Sequence, residues 1–192
     1  MTVWNLGWKL LQIAQVNKKH RYATPVVTTV SPAGTPRSRT VVLRHADPAA
    51  GTLQLWTDRR STKATHLTHK PVLIWLFWDP RHQLQLSAHG PTHWLGDDVA
   101  RKKFLSLPKH SRRAYATRAA PGAPLPHPAD GLPPDWQDRS LPQTDYAAQN
   151  FGILETRLEF VELLQLSREG HRRLRAQRDP DQGEWRFEWM VP

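Results

Sequence analysis

The 192-residue sequence contains no cysteine, so neither a disulfide nor a thiolate metal site can hold the fold, and zinc-finger architectures are excluded. Long apolar runs are also missing. The longest, Val72 to Trp78, falls far short of the roughly 20 residues that a membrane-spanning helix needs, and the N-terminus lacks a basic-then-apolar signal pattern. There is no Gly-x-Ser-x-Gly, no Walker-type loop and no His-Glu-x-x-His, so hydrolase, nucleoside triphosphatase and zincin chemistries have no support. Acidic residues are scarce, 17 against 27 Lys and Arg, which leaves a formal charge of +10. Such an excess attracts anions in general. It does not indicate nucleic acid, because many of the basic residues fall in the short run Lys18-Lys19-His20-Arg21 and in a scattered set from Arg168 to Arg178. Neither is a long basic arm or an aromatic-interleaved groove. The expectation is a soluble, cytosolic chain with no membrane or nucleic-acid partner.

What is present reads as one domain over residues 1–192. Strand signals follow one another at Pro25 to Val30, Arg39 to Arg44, Thr52 to Thr57, Val72 to Trp78 and Gln83 to Ala88, separated by turns such as Ser31-Pro32-Ala33-Gly34 and Asp79-Pro80. That rhythm predicts a small antiparallel sheet or barrel. Residues Val3 to Val16 carry an amphipathic helical pattern, and a second helix is predicted after Gly96, capped by Asp97 and ending before Pro108. A proline-rich insertion occupies about 119–145, with Trp136 as either a cover over a ligand or an anchor to the surface. Strand-like sequence resumes at Thr156 to Leu166, His171 to Arg175 and Trp185 to Pro192. Trp75 and Trp78 have odd spacing on one strand, so one faces the core and the other faces out.

The most informative segment lies between the second and fourth of these strands. Ser61 is a good N-cap, with Thr62, Lys63 and Ala64 as first helical residues, and Lys70-Pro71 closes the helix. Unpaired backbone N–H groups and the positive end of the helix dipole then meet beside Arg39, Lys63 and two hydroxyls. A lysine in a first helical turn opposes the dipole unless an anion neutralises both, so this local conflict predicts a phosphate site. Arg39 and Arg44 are five apart, and on a regular strand they point to opposite faces. The spacings His66-x-x-His69 and His89-x-x-x-His93 lack a nearby third ligand or cross Gly90-Pro91, so solvent-facing histidines are expected.

Arg39 to Arg44, then Trp56-Thr57-Asp58 with Ser61-Thr62-Lys63, then His82-Gln83-Leu84, resemble three motifs of the pyridoxamine 5′-phosphate oxidase family in order and spacing. Those motifs are Arg-x-Val-Leu-Leu-Lys, Tyr-Thr-Asn-x-x-Ser-Arg-Lys and Arg-Gln-Val. The resemblance implies a mainly β, six-stranded antiparallel split β-barrel with peripheral helices, binding FMN between the two subunits of a homodimer. It implies that Arg39, Ser61, Thr62 and Lys63 surround the FMN phosphate. Thr40, Val41, Val42, Leu43, Arg44, Trp56 and Thr57 would line the cofactor, and Gln83 would reach the ring or its edge.

The substrate positions depart from the family. Its tyrosine, arginine and serine around a helix end read Lys103, Leu107 and Ser111 here, and its Arg-x-His pair reads Arg173-Leu174-Arg175. The substrate-binding candidates are therefore Arg44, Lys103, Ser111, Arg173 and Arg175, with Arg173, in the position that covers the substrate, as the catalytic candidate. The family's flavin-flanking tryptophan corresponds to Leu164, and a Gln-Ser pair to Ala120-Pro121. The implied function is an FMN-dependent oxidoreductase acting on a small molecule that need not be a B6 vitamer. The alternatives are the authentic pyridoxamine or pyridoxine 5′-phosphate oxidase and a non-enzymatic flavin- or haem-binding, stress-related protein.

Overall fold

The computed structural model describes residues 2–192. Ten strands form one branched, antiparallel sheet. They are β1 (Val26–Val30), β2 (Pro36–Thr40), β3 (Leu43–Asp47), β4 (Thr52–Asp58), β5 (Val72–Asp79), β6 (Leu84–Trp94), β7 (Phe151–Arg157), β8 (Phe160–Gln165), β9 (Arg172–Arg178) and β10 (Trp185–Met190). One branch runs β10-β9-β8-β6-β5-β1-β2, and the other runs β3-β4-β7 and rejoins at β6. The class is that of a split barrel, with more strands than the six expected.

The long β6 makes the split. Its residues Leu84 to His89 pair with β8, whereas Thr92 to Trp94 pair with β7. The change of partner falls at Gly90, where an added Cβ would overlap the carbonyl oxygen of Arg157, in the turn that joins β7 to β8. Only a residue without a side chain lets two backbones approach so closely. Glu159 N–H donates to the His89 carbonyl at 3.0 Å, which fixes this crossing.

Helix α1 (Val3–Val16) starts with the Thr2 side chain accepting from Asn5 N–H at 3.2 Å. Its buried stripe of Leu6, Leu10, Leu11 and Ala14 closes the barrel and joins the core of Val27, Leu43, Leu55, Trp75 and Leu163. On the other side of β4 and β7, Phe104, Tyr115, Trp136 and Phe151 form a second cluster. These residues come from α3 (Asp97–Leu105), the segment after α4 (Lys109–Arg112), the proline-rich insertion and β7. Trp136 is thus an anchor of the insertion. Arg112, 1% exposed, lies beneath it and donates to the carbonyls of Leu105, Leu107 and Leu141, to Thr144 and to Asp145.

Along β5 the alternation is strict. Leu73, Trp75 and Phe77 are buried, while Ile74, Leu76 and Trp78 are 38%, 40% and 42% exposed. Trp75 is the inward tryptophan and Trp78 the outward one.

Three sequence-based expectations need correction. The segment Arg39 to Arg44 is not one strand: β2 ends at Thr40, Val41 N–H donates to Pro25 O, and β3 starts at Leu43 so that Leu43 can pair with Leu55 in the other branch. Thr156 to Leu166 is divided between β7 and β8 by the turn at Leu158, because the two strands pair with different parts of β6. Gly96, not Asp97, is the cap of α3; Asp97 sits in its first turn and is held by Arg59 at 2.6 Å.

Gly90→Ala is expected to destabilise the fold by about 3 kcal/mol or more, since the obstacle is backbone that cannot rotate away. Urea unfolding of the variant at pH 7.5 checks this.

Candidate functional site

Strand β4 ends at Asp58, turns through Arg59 and Arg60, and opens α2 (Thr62–His69) at Ser61. Ser61 has the extended backbone of an N-cap but makes no side-chain capping bond. Its hydroxyl is instead turned towards Lys63, whose Nζ lies 3.3 Å from Ser61 Oγ and 2.6 Å from Thr57 Oγ1. All three side chains are buried or half-buried. Lys63 therefore meets only hydroxyls. Burial lowers its pKa, the neighbouring Arg39 lowers it further, and Asp58 acts the other way. Asp58 is itself bound in two places by Arg60.

Arg39, half-buried on β2, donates to Thr29 Oγ1 at 2.7 Å and to Arg37 O at 2.6 Å. Thr29 also meets His66 Nδ1 at 2.9 Å. His66 is 4% exposed, so the solvent-facing role expected from its spacing is wrong for this residue. Its pKa is lowered, chiefly by burial and then by Arg39, Arg37 and His69. Two cations, a buried neutral imidazole and the free N–H groups of a helix mouth thus face one place with no carboxylate bound to either cation. This arrangement fits a dianionic phosphate group.

The remaining predicted residues divide. Thr62 is exposed at the helix mouth, and Thr40 is exposed at the end of β2. Val41 and Val42 form the half-buried link between the branches, and Leu43 is buried in the core. Trp56 points to the opposite side of β4 from Thr57, towards the second cluster. There the Arg44 guanidinium lies 4.0 Å above the indole and the Lys103 ammonium 5.1 Å from its centre. Tyr115 packs nearby; burial pushes its hydroxyl up to about 12, with Arg44 opposing and Asp58 adding to the shift.

Gln83 lies in the β5–β6 turn with a φ of 49° and donates to Pro80 O. It is about 20 Å along β5 from the level of Thr29, at roughly 3.3 Å per residue. Within one chain it does not meet the Lys63 cluster. Arg173 and Arg175 are also apart, on the outer face of β9, where Arg173 pairs with Glu162 at 2.9 Å and Arg175 lies over Phe160. The Nε of each is buried without a partner. Ser111 sits half-buried on α4.

Thr29, Tyr115 and Arg112 were not singled out from sequence, and His66 was noted only for its spacing to His69. The inward alternation of β1 places Thr29 beside Val27, and that signal was available. Nothing local marks Arg112, whose partners come from two stretches, Leu105 to Leu107 and Leu141 to Asp145.

The class of protein defined by this geometry is a split barrel with a candidate anion site at the mouth of α2. Residues 5–96 match the family model described as pyridoxamine 5′-phosphate oxidase, FMN-binding domain. A pyridoxine/pyridoxamine 5′-phosphate oxidase of Deinococcus deserti is 31% identical over 104 residues, covering 54% of this chain and 48% of the relative. The chain thus spans about half the length of the curated relatives it matches. A pyridoxamine 5′-phosphate oxidase-related, FMN binding protein of Nostoc punctiforme superposes with a TM-score of 0.80 at 22% identity, over 100% of this chain and 99% of the other. PhzG of Burkholderia lata, solved with tetrahydrophenazine-1-carboxylic acid, superposes at 0.74 with 16% identity, over 98% and 91% of the two chains. Over residues 5–96 the chain resembles the pyridoxamine 5′-phosphate oxidase FMN-binding domain, and over its whole length it shares the split-barrel fold of these structures.

The lowered pKa of His66 has a stability consequence. The unfolded chain takes up a proton near 6.5, whereas the folded protein resists it, so acid favours unfolding as pH falls below that value. His20 and His89 are lowered as well, by burial first, and add to the same slope. Between pH 7.5 and 5.5, His66→Gln is expected to reduce the loss of stability by up to about 1 kcal/mol per pH unit, read as the change in urea midpoint.

Proposed function

We propose that the protein is an FMN-dependent oxidoreductase that works as a homodimer on a small anionic substrate. The observation that carries this is the pair Arg39 and Lys63, desolvated, close enough to lower the Lys63 pKa and without an acidic partner. Their mutual repulsion stands until an anion enters. Arg39, Lys63, Thr57, Ser61 and the α2 N–H groups would hold the FMN phosphate, and Thr62 would add a hydroxyl. Bound FMN supplies the hydride-accepting ring, which leaves the protein to bind, orient and exclude water.

Arg44 and Lys103, both close to the Trp56 indole, would hold the negative group of the substrate. Leu107, where relatives carry an arginine, is buried in the second cluster, and its carbonyl accepts from Arg112. Arg112 therefore does not replace the missing phosphate clamp. This favours a substrate other than a B6 phosphate, with the authentic oxidase as the alternative to be tested.

The homodimer reading rests on the outer face of the long branch. Ile74, Leu76 and Trp78 form an exposed apolar stripe there, with the unpaired Arg173 and Arg175 Nε groups further along the same face. An exposed patch of this kind on a sheet face marks a contact surface. Pairing two such faces would bring Gln83, Arg173 and Arg175 of one subunit towards the cofactor of the other.

The test is absorption after adding FMN and gel filtration, then pyridoxine 5′-phosphate under air. Flavin bands eluting with a dimer support the cofactor assignment, and pyridoxal 5′-phosphate formation selects the authentic oxidase. Each of Arg39→Ala and Lys63→Ala is expected to cost about 2 kcal/mol, roughly thirtyfold in Kd, and the double variant to lose FMN on the column. Unchanged FMN affinity in the double variant would sink the phosphate assignment. Trp78→Asp is expected to shift elution to the monomer; a dimer that survives it would place the interface elsewhere.

A further inference from the structure

A cleft of about 540 Å³ is separate from the α2 mouth and lies between α1 and the β5–β6 turn. Its volume is within the range of small-molecule sites. Four cations line it, Lys9, Lys19, Arg21 and Arg81, and none of their side chains takes part in the ion pairs or hydrogen bonds of the described residues. The acidic group in the lining, Asp79, is buried and already engaged: it accepts from Arg81 N–H at 2.8 Å and meets His82 Nδ1 at 2.9 Å and His20 Nε2 at 3.8 Å.

These contacts orient both imidazoles. His20 Nδ1 accepts from Tyr22 N–H at 3.1 Å, which places the ring proton on Nε2. His82, bound to Asp79 through Nδ1, keeps Nε2 free. Leu6, Leu10 and Ile13 of α1 supply an apolar wall to the same cleft. Unneutralised cations beside an apolar wall match a ligand with an oxyanion at one end and a hydrocarbon or aromatic body at the other.

We propose that this cleft is a second binding site, for a small amphipathic oxyanion such as a phosphate monoester or an aromatic carboxylate. Within one chain it stands apart from the phosphate site, because Asp79 and Thr29 are at opposite ends of the β1–β5 pair; FMN is kept in excess in the test because Gln83, next to His82, would face the partner's cofactor.

Histidine NMR separates the two sites. His20 and His82 report the cleft, and His66 reports the Lys63 cluster. With FMN present in excess, phenyl phosphate is expected to move the His20 and His82 resonances and to raise the His20 titration midpoint by about one pH unit, leaving His66 unmoved. Lys9→Glu with Lys19→Glu is expected to weaken this binding at least about tenfold without changing the His66 signal. Benzoate in place of phenyl phosphate tells which oxyanion is preferred, and inorganic phosphate tests the apolar wall by binding more weakly. Movement of His66 alone, no movement at millimolar ligand, or unchanged binding in the double variant would each overturn the proposal. Inorganic phosphate binding as tightly as phenyl phosphate would overturn its amphipathic part.

Discussion

Strand β6 has to serve two groups of strands, and it can do so only because the chain has no side chain at Gly90. One edge of the strand is held by β5 as far as Pro91; the other is held by β8 before Gly90 and by β7 after it. The bend lets the β3-β4-β7 branch curl over Trp75 and Val27 while the long branch stays open on its other face. It also sets where β4 ends relative to β1. Thr57 and Ser61 thereby face the same space as Thr29 and Arg39, although these residues belong to different branches. The candidate phosphate site is a product of that closure more than of any single loop.

The charges follow a common pattern. Acidic side chains near the functional regions are already engaged: Asp58 by Arg60, Asp97 by Arg59, Asp145 by Arg112 and Asp79 by backbone and histidine. The cations left over are Arg39 with Lys63, Arg44 with Lys103, and the set around the α1 cleft. A formal charge of +10 is therefore not spread evenly. Arg39, Lys63 and Arg44 are half-buried, where desolvation makes an unbalanced cation costly, and such places select anions.

Much of this could be read from the amino acids. The helix at Ser61, the strands around it and the inward and outward tryptophans follow from capping, alternation and proline placement. What could not be read were the points at which the chain changes partner. Arg39 to Arg44 has an unbroken strand composition, yet pairing with Pro25 and Leu55 at either end forces an interruption at Val41-Val42. Thr156 to Leu166 looks continuous for the same reason. His66 was misjudged because its helix is short and largely polar, and only the fold shows that Thr29 waits opposite it.

The proline-rich segment is pinned at both ends. Arg60, fixed by Asp58, donates to the carbonyls of Thr117 and Arg118, and Trp136 is buried in the second cluster. Between these pins lies a span of under twenty residues, rich in proline and so poor in accessible conformations, and tied further by Arg118 N–H to Gly131 O and by Arg113 to Asp130. It is better described as a taut bridge than as a swinging cover. Because one of its piers is the β4–α2 turn itself, a ligand that tightens that turn would stiffen the bridge as well, and sequence drift in the span could alter what passes beneath it without disturbing the barrel.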